Sequence, residues 1–166
     1  KENVMDIENV EGVTGEIEEK VAVIDLTSGQ AEADFTLIGY NINSVEFGKF
    51  QRQGLDLPLK IDENELYIDR RSADVLDAHK GDEIQIQTMN GLFHFRIKAI
   101  VDEDSRAGWG LGTAVFIPLE VAQEILGVHD SVNIIKVTND GGVRSGEKHC
   151  DQVVKDMEVF LDGHQY

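Results

Sequence analysis

Apolar and polar residues alternate along much of the chain, and this alternation predicts strands rather than long helices. Residues 13–26 and 33–40 each indicate a strand. The polar segment between them, residues 27–30, has the composition of a turn. The two strands therefore predict an antiparallel hairpin. Further short strands are expected over residues 66–68, 83–87, 93–100, 114–117 and 132–137.

The strongest turn signal in the chain is Asn90-Gly91. It lies between residues 83–87 and 93–100, both of which alternate cleanly. Asn-Gly suits the tight turns in which φ is positive, and these turns match the twist of paired strands. The sequence therefore predicts a second hairpin there.

Helical spacing of apolar residues indicates three helices and a looser helical segment over residues 4–10. Ser72 is the expected N-cap of the first helix, which should stop at Lys80-Gly81. Pro118 suits the first position of the second helix, and Gly127 should end it. The third helix is expected over residues 144–161. Because strand pairs and helices alternate without a long parallel βαβ run, the predicted class is α+β.

The formal net charge of −17 excludes several classes of partner. Nucleic-acid binding depends on clustered Lys and Arg, so no nucleic-acid partner is expected. Adhesion to an anionic membrane surface is disfavoured for the same reason. A solvated acidic surface explains the charge without any ligand.

The residues that usually carry chemistry lack the spacing that chemistry needs. The glycine-rich stretch 108–113 lacks the Gly-Lys-Ser/Thr ending of a phosphate loop and leads into a strand. A lone cysteine, Cys150, excludes an internal disulfide. No pair of histidines has helical metal-ligand spacing among His79, His94, His129, His149 and His164. We therefore expect no enzyme activity, no catalytic residue, no cofactor and no metal.

Trp109 is the single residue selected as a contact for a partner, because it lies between glycines in a polar loop. The alternative, a Trp folded back onto its own lobe, is equally compatible with the sequence. No run approaches the ~20 apolar residues that span a bilayer. The chain starts without an initiating methionine or a signal peptide, which suggests a segment of a longer protein.

An ordered set of short motifs covers residues 65–138. It comprises Glu65-Leu66-Tyr67-Ile68-Asp69, Ala73-Asp74-Val75-Leu76, Lys80-Gly81-Asp82-Glu83-Ile84, Phe93 to Ile100, Ala114-Val115-Phe116-Ile117-Pro118-Leu119, Val121 to Gly127 and Ser131 to Val137. This set resembles the MacB-like periplasmic core domain of FtsX-family ABC transporter permeases.

The resemblance implies a two-lobed α+β fold. A βαβ-type lobe, similar to the porter domains of efflux pumps, would combine residues 1–57 with residues 119–166. An inserted, mainly-β lobe would cover residues 58–118. Both ends would lead into transmembrane helices, which places the domain on the extracytoplasmic face of the cell membrane.

The resemblance also implies function and partners. The domain would belong to a permease subunit and would couple cytoplasmic ATP hydrolysis to the handling of a substrate or partner outside the membrane. Its implied partners are a cytoplasmic ABC ATPase subunit, a second permease subunit and an extracytoplasmic protein or peptide. The alternative is a stand-alone extracytoplasmic ligand-binding or sensor domain, which a deep pocket between lobes would indicate.

Overall fold

The computed structural model describes residues 3–41, 51–52, 55–56, 61–101, 112–141 and 145–163. The strands in these ranges are β1 (Val10–Asp25), β2 (Ala31–Tyr40), β3 (Gln51–Arg52), β4 (Leu55–Asp56), β5 (Glu65–Asp69), β6 (Glu83–Thr88), β7 (Gly91–Val101), β8 (Ala114–Pro118) and β9 (Ile134–Asn139). The α-helices are α1 (Arg70–Leu76), α2 (Leu119–Leu126) and α3 (Cys150–Gly163). Short 3-10 turns cover Val4–Asp6 and Gly146–His149. The predicted α+β class is confirmed.

Six strands form a closed ring in the order β1, β2, β8, β5, β7 and β6. Strand β1 closes it, because it pairs antiparallel with both β2 and β6. Both predicted hairpins, β1–β2 and β6–β7, are confirmed. Two pairs that are distant in sequence, β2–β8 and β5–β7, are parallel. The fold is therefore a small barrel rather than an open sheet with helices on it.

The inside of the barrel is filled by alternate residues of the six strands. Strand β6 shows the pattern most clearly, since Ile84 and Ile86 are fully buried and Glu83 is exposed. The helices α1 and α2 contribute to the same apolar cluster. Its largest members are Phe35, Leu37, Leu66, Ile68, Leu76, Ile84, Ile86, Phe95, Ile97, Ile117 and Ile125. Burial of these side chains is the main favourable contribution to folding.

A second apolar cluster uses the opposite faces of β2, β5, β7 and β8. Its members are Ile38, Tyr40, Ile61, Tyr67, Ala99, Val101, Ala114 and Phe116. Strands β5 and β8 are therefore buried on both faces. This explains why they appear in the sequence as continuous apolar runs, whereas β6, with one exposed face, alternates.

Strand β7 departs from regular alternation at Lys98. Leu66 pairs with Ile97, but the next residue of β5, Tyr67, pairs with Ala99. The extra residue is a β-bulge, which moves Ile97 and Ile100 to the same side of the strand. Both pack against the inner cluster as a result.

The chain divides into two compact units. The larger comprises residues 15–134 and holds the barrel, and the smaller comprises residues 1–14 and 135–166. In the smaller unit, Val10, Val153 and Met157 form a core, with Val4, Ile7, Val13 and Val137 packed against it. The lobe boundaries that the resemblance implies, at 57/58 and 118/119, fall within the larger unit. That division stays a prediction.

Helix α1 differs from its prediction at both ends. Its N-cap is Asp69, whose carboxylate accepts a hydrogen bond from the Ser72 amide, so the prediction of Ser72 as the cap is wrong. The helix ends at Leu76, with Asp77 in the left-handed conformation, and does not continue to Lys80-Gly81. Asp69 is both the last residue of β5 and the N-cap of α1, so the helix begins directly where the strand ends.

The remaining helix predictions were closer. Pro118 is the N-cap of α2, one residue before the first helical position that was predicted for it. Gly127 ends α2 in the left-handed conformation, as expected. Helix α3 confirms the third predicted helix and buries Val153 and Met157. The helical segment expected over residues 4–10 is only the turn Val4–Asp6, because Val10 already belongs to β1.

Candidate functional site

A groove with a volume of about 390 Å³ lies beside the β6–β7 turn in the larger unit. Three segments form it: the middle of β1, the β6–β7 turn and the chain that follows α2. We call it the hairpin groove. Its lining residues are Ile17, Glu19, Lys20, Val21, Thr88, Met89, Asn90, Leu126, Val128, Ser131, Val132 and Asn133.

The floor and walls of the hairpin groove are mainly apolar. Ile17 and Val21 are buried at its base, whereas Val128 and Val132 are about 40% exposed at its edge. Met89, at the tip of the turn, is fully exposed. Exposed apolar residues that adjoin a groove commonly mark a binding surface.

The turn between β6 and β7 is fastened to the end of α2. The Thr88 hydroxyl donates to the carbonyl oxygen of Ile125 at 3.0 Å, and the Asn90 side-chain amide donates to the same oxygen at 3.2 Å. Carbonyls in the last turn of a helix have no partner within the helix, so these contacts satisfy one of them. They also fix the position of Met89, which lies between the two donors in sequence.

The third wall of the hairpin groove is fastened to β1 by Asn133. Its side-chain oxygen accepts from the Glu18 amide at 2.9 Å, and its side-chain nitrogen donates to the Glu18 carbonyl at 2.8 Å. The Asn133 amide also donates to the Glu16 carbonyl at 3.2 Å. This paired contact resembles one step of a strand ladder and holds Val132 beside the groove.

The polar groups of the lining are thus largely used by the protein itself. Thr88, Asn90 and Asn133 make the contacts described above, and the Ser131 hydroxyl donates to the His129 carbonyl. Pockets that orient small molecules usually present several convergent polar groups. In the hairpin groove the surface offered to a partner consists mainly of apolar side chains.

The segments around the hairpin groove are strongly acidic. Lys20 is the sole Lys or Arg in residues 15–25, 85–92 and 112–134, and its ammonium lies 2.8 Å from the Asp34 carboxylate. The acidic residues of the same segments that reach the surface are Glu18, Glu19, Glu120, Glu124 and Asp130, whereas Glu16 and Asp25 are buried. The potential around the groove is therefore negative, although the groove itself is apolar.

A buried polar network lies at the start of β8. Asp69 and Ser72 are almost fully buried, and the Ser72 hydroxyl donates to the Asp69 carboxylate. The Ala114 amide donates to Asp69 Oδ2 at 2.7 Å and to Ser72 Oγ at 2.6 Å. Each of these buried groups is satisfied, and they join the β5–α1 corner to β8. This arrangement has a structural role.

The pKa values of two neighbouring groups are shifted in opposite directions. A hydrogen bond from the Lys98 ammonium, with a second from the Asp62 amide, lowers the pKa of the Glu65 carboxyl. Burial raises the pKa of the Tyr67 phenol to about 12, and the nearby Glu65 charge adds to the rise. Neither group faces the hairpin groove, since neither belongs to its lining.

The sequence-predicted contact, Trp109, lies outside the described residues, and its role stays a prediction. Cys150 is exposed at the start of α3, where its sulfur accepts from the Asn139 side chain at 3.2 Å. His94 lies on the barrel surface, where its Nδ1 is 2.7 Å from Glu83 Oε1 and its Nε2 is 3.1 Å from Gln85 Nε2. No group of three or more potential metal ligands occurs within the described ranges.

Sequence reasoning identified the Asn90-Gly91 turn but missed the hairpin groove beside it. One local signal was present: Met89 is a large apolar residue at a turn, where polar residues are usual. The other walls come from residues far away in sequence. Their proximity depends on how the barrel closes, which periodicity does not reveal.

None of the helices that the structure describes is long and apolar enough to cross a membrane. No protein-family model matches the chain, and no curated protein matches it in sequence.

Solved structures do match the fold. The extracellular domain of the noncanonic ABC-type transporter YknZ from Gram-positive bacteria aligns with a TM-score of 0.60 and 11% identity. That alignment covers 90% of this chain and 73% of the YknZ domain. The periplasmic region of MacB from Actinobacillus actinomycetemcomitans aligns with a TM-score of 0.56 and 15% identity, covering 93% of this chain and 70% of MacB's region. The chain therefore has the fold of MacB-like extracytoplasmic domains.

Proposed function

We propose that this chain, which has the fold of MacB-like extracytoplasmic domains, is itself the extracytoplasmic domain of an ABC transporter permease subunit of the FtsX/MacB type. The observation that carries the proposal is the shared fold over 90% of the chain with the extracellular domain of an ABC-type transporter. Transmembrane helices would tether the domain to the outer face of the cell membrane.

The smaller unit supports this topology. Val4 and Ile7, from the first described residues, pack in one cluster with Val153 and Met157 of α3. The Asp140 amide also donates to the Asn9 carbonyl at 2.9 Å. A domain carried between two membrane helices needs its two end segments close together, and here they share a core.

We further propose that the domain transmits movement and catalyses no reaction. A cytoplasmic ATPase subunit would hydrolyse ATP, and a second permease subunit would complete the transporter. Closed, well-packed units such as the barrel suit rigid-body motion, which is one established way to convey a conformational change. The two-lobed arrangement, with an inserted lobe at residues 58–118, and a partner contact at Trp109 belong to the same proposal.

The topology can be tested by labelling the full-length protein in intact cells. Met89 is fully exposed, so Met89→Cys in a Cys150→Ser background should react with a membrane-impermeant maleimide. The buried control, Ala73→Cys, should remain unlabelled while the domain is folded. Labelling of Met89→Cys only after the cells are permeabilised would overturn the proposal.

A stand-alone extracytoplasmic ligand-binding or sensor domain is the second candidate, and the hairpin groove is the observation that favours it. Purification of the full-length protein from its own cells separates the two. A permease subunit should co-purify with an ABC ATPase, whereas a sensor should be labelled outside the cell without one.

A further inference from the structure

We propose that the hairpin groove is a docking site for a basic amphipathic segment of a partner protein, which inserts apolar side chains beside Met89 and places Lys or Arg against the acidic surroundings. The inference concerns the chain by itself and does not require the membrane context proposed above.

Three apolar side chains of the hairpin groove are exposed. Met89 is fully exposed, and Val128 and Val132 are about 40% exposed, within a single groove of about 390 Å³. The walls are fastened by the contacts of Thr88, Asn90 and Asn133, so the apolar surface is pre-formed. Pre-formed surfaces bind without a large ordering cost.

The charged residues beside the groove favour a basic partner. Glu19 and Lys20 both line the groove and are exposed, and Lys20 pairs with a second acid, Asp34. Asp130, which is exposed between the lining residues Val128 and Ser131, adds a further negative charge, so the acids beside the groove outnumber its one lysine. An acidic partner would be repelled here, and a basic one would be steered toward the groove.

A second copy of this chain is a poorer occupant, because each copy has a net charge of −17 and its own groove segments are acidic. A small polar molecule is also disfavoured, since the polar groups of the lining are engaged within the protein. A helix or strand with apolar residues on one side and basic residues on the other satisfies both features.

The test uses three synthetic peptides of equal length and the purified chain. The first alternates leucine and lysine in an amphipathic pattern, the second replaces lysine by glutamate, and the third replaces leucine by serine. We expect the Leu/Lys peptide to bind at least about tenfold more tightly than either other peptide, and more weakly as salt increases. Equal binding of the Leu/Lys and Leu/Glu peptides would overturn the proposal.

Substitutions then locate the binding. Met89→Ser and Val132→Ser should each weaken binding of the Leu/Lys peptide by about tenfold, as expected when an apolar contact at the centre of a binding site is removed. Val75→Ser is the matched control, because Val75 is 45% exposed on α1 and outside the groove. If Val75→Ser weakens binding as much as Met89→Ser does, the groove is not the site.

Charge reversal separates local recognition from general attraction to an acidic protein. Glu19→Lys should weaken binding of the Leu/Lys peptide and strengthen binding of the Leu/Glu peptide. Glu63→Lys, at an exposed turn outside the groove, should change the binding of neither peptide substantially. Equal effects of the two reversals would mean nonspecific attraction only and would overturn the proposal.

Two other occupants give distinct results that would also overturn it. Concentration-dependent dimerisation of the chain that Met89→Ser abolishes would identify the groove as a self-interface. An uncharged apolar dye that binds there and that the Leu/Lys peptide fails to displace would identify a small-molecule pocket.

Discussion

The side-chain nitrogen of Asn90 lies 3.2 Å from the carbonyl oxygen of Ile125 and donates a hydrogen bond to it. This contact joins the tip of one hairpin to the last turn of a helix that is 35 residues away in sequence. It leaves little room around Gly127, where an added Cβ would lie 2.9 Å from the Asn90 nitrogen. The wall of the hairpin groove therefore depends on a glycine and an asparagine together.

Gly127→Ala should destabilise the protein more than a glycine substitution that meets only backbone strain. Gly127 has φ +67°, and Gly29 has φ +76° with nothing within 4 Å of an added Cβ. Both substitutions incur the left-handed penalty of about 1 kcal/mol, but only Gly127→Ala also displaces Asn90. Chemical denaturation should show the larger loss for Gly127→Ala, and adding Asn90→Ala should remove the excess. Equal losses at the two glycines would contradict the close contact.

Gly39→Ala should be costly because β2 and α2 approach closely there. An added Cβ would lie 2.3 Å from the Cβ of Ala122. Overpacking of this kind typically costs about 1–3 kcal/mol. Thermal or denaturant unfolding should show that loss, and Ala122→Gly should recover part of it in the double variant. Strictly additive losses would show that the two residues do not interact.

Ser72→Ala should weaken the junction between α1 and β8. The substitution removes the hydroxyl that donates to Asp69 and accepts from the Ala114 amide. Loss of a buried partner costs about 1–3 kcal/mol, whereas Ser131→Ala, at an exposed position, should cost less than about 0.5 kcal/mol. Equilibrium unfolding of the two variants tests the difference. If Ser72→Ala loses no more stability than Ser131→Ala, the Ser72 hydroxyl does not have this structural role.

The phenol of Tyr67 predicts a loss of stability at alkaline pH. Its pKa rises to about 12 in the folded protein from an ordinary value of 10.0. The folded state therefore holds the proton more tightly, so this contribution to stability is present below pH 10 and is lost as pH rises toward 12. A two-unit shift corresponds to about 3 kcal/mol at most. Tyr67→Phe should show a smaller decrease across this range, and an identical decrease in both proteins would contradict the assignment.

The Glu65 carboxyl predicts a complementary loss in acid. Its pKa is lowered, chiefly by the hydrogen bond from Lys98, so the stabilising charge is present above the unfolded value near 4.5. That contribution is lost as pH falls through the lower folded value. Lys98→Met should make stability less sensitive to pH in this region. If the stability of Lys98→Met falls in acid as much as that of the native protein, the ion pair with Glu65 is not the cause of the acid dependence.

The sequence was sufficient to predict local elements whose signals are local. Strand β6 alternates, Asn90-Gly91 marks its turn, and Gly127 ends α2 as glycine commonly does. The N-cap of α1 was misassigned because an aspartate following an apolar strand is compatible with either element. Ser72, three residues later, has an equally suitable side chain for a cap, so local sequence does not distinguish the two.

The sequence does not predict which strands pair with one another or in which direction. The parallel pair β2–β8 joins residues that are far apart in the chain, and no local pattern distinguishes it from an antiparallel partner. The hairpin groove has the same origin, since Ile17, Met89 and Val132 become neighbours only when the barrel closes. Met89 was the one member whose position at a turn could have drawn attention.

Closure of the barrel has a consequence for synthesis of the chain. Strand β2 is synthesised early, but one of its two edges stays unpaired until β8 is synthesised, because Thr36 of β2 pairs with Ala114 of β8. Contacts of such long sequence separation form slowly. A nascent or truncated chain without β8 therefore exposes the apolar edges of β2 and β5, which are the places where strands of different chains adhere. We expect such fragments to aggregate or to require a chaperone until the last strand of the ring emerges.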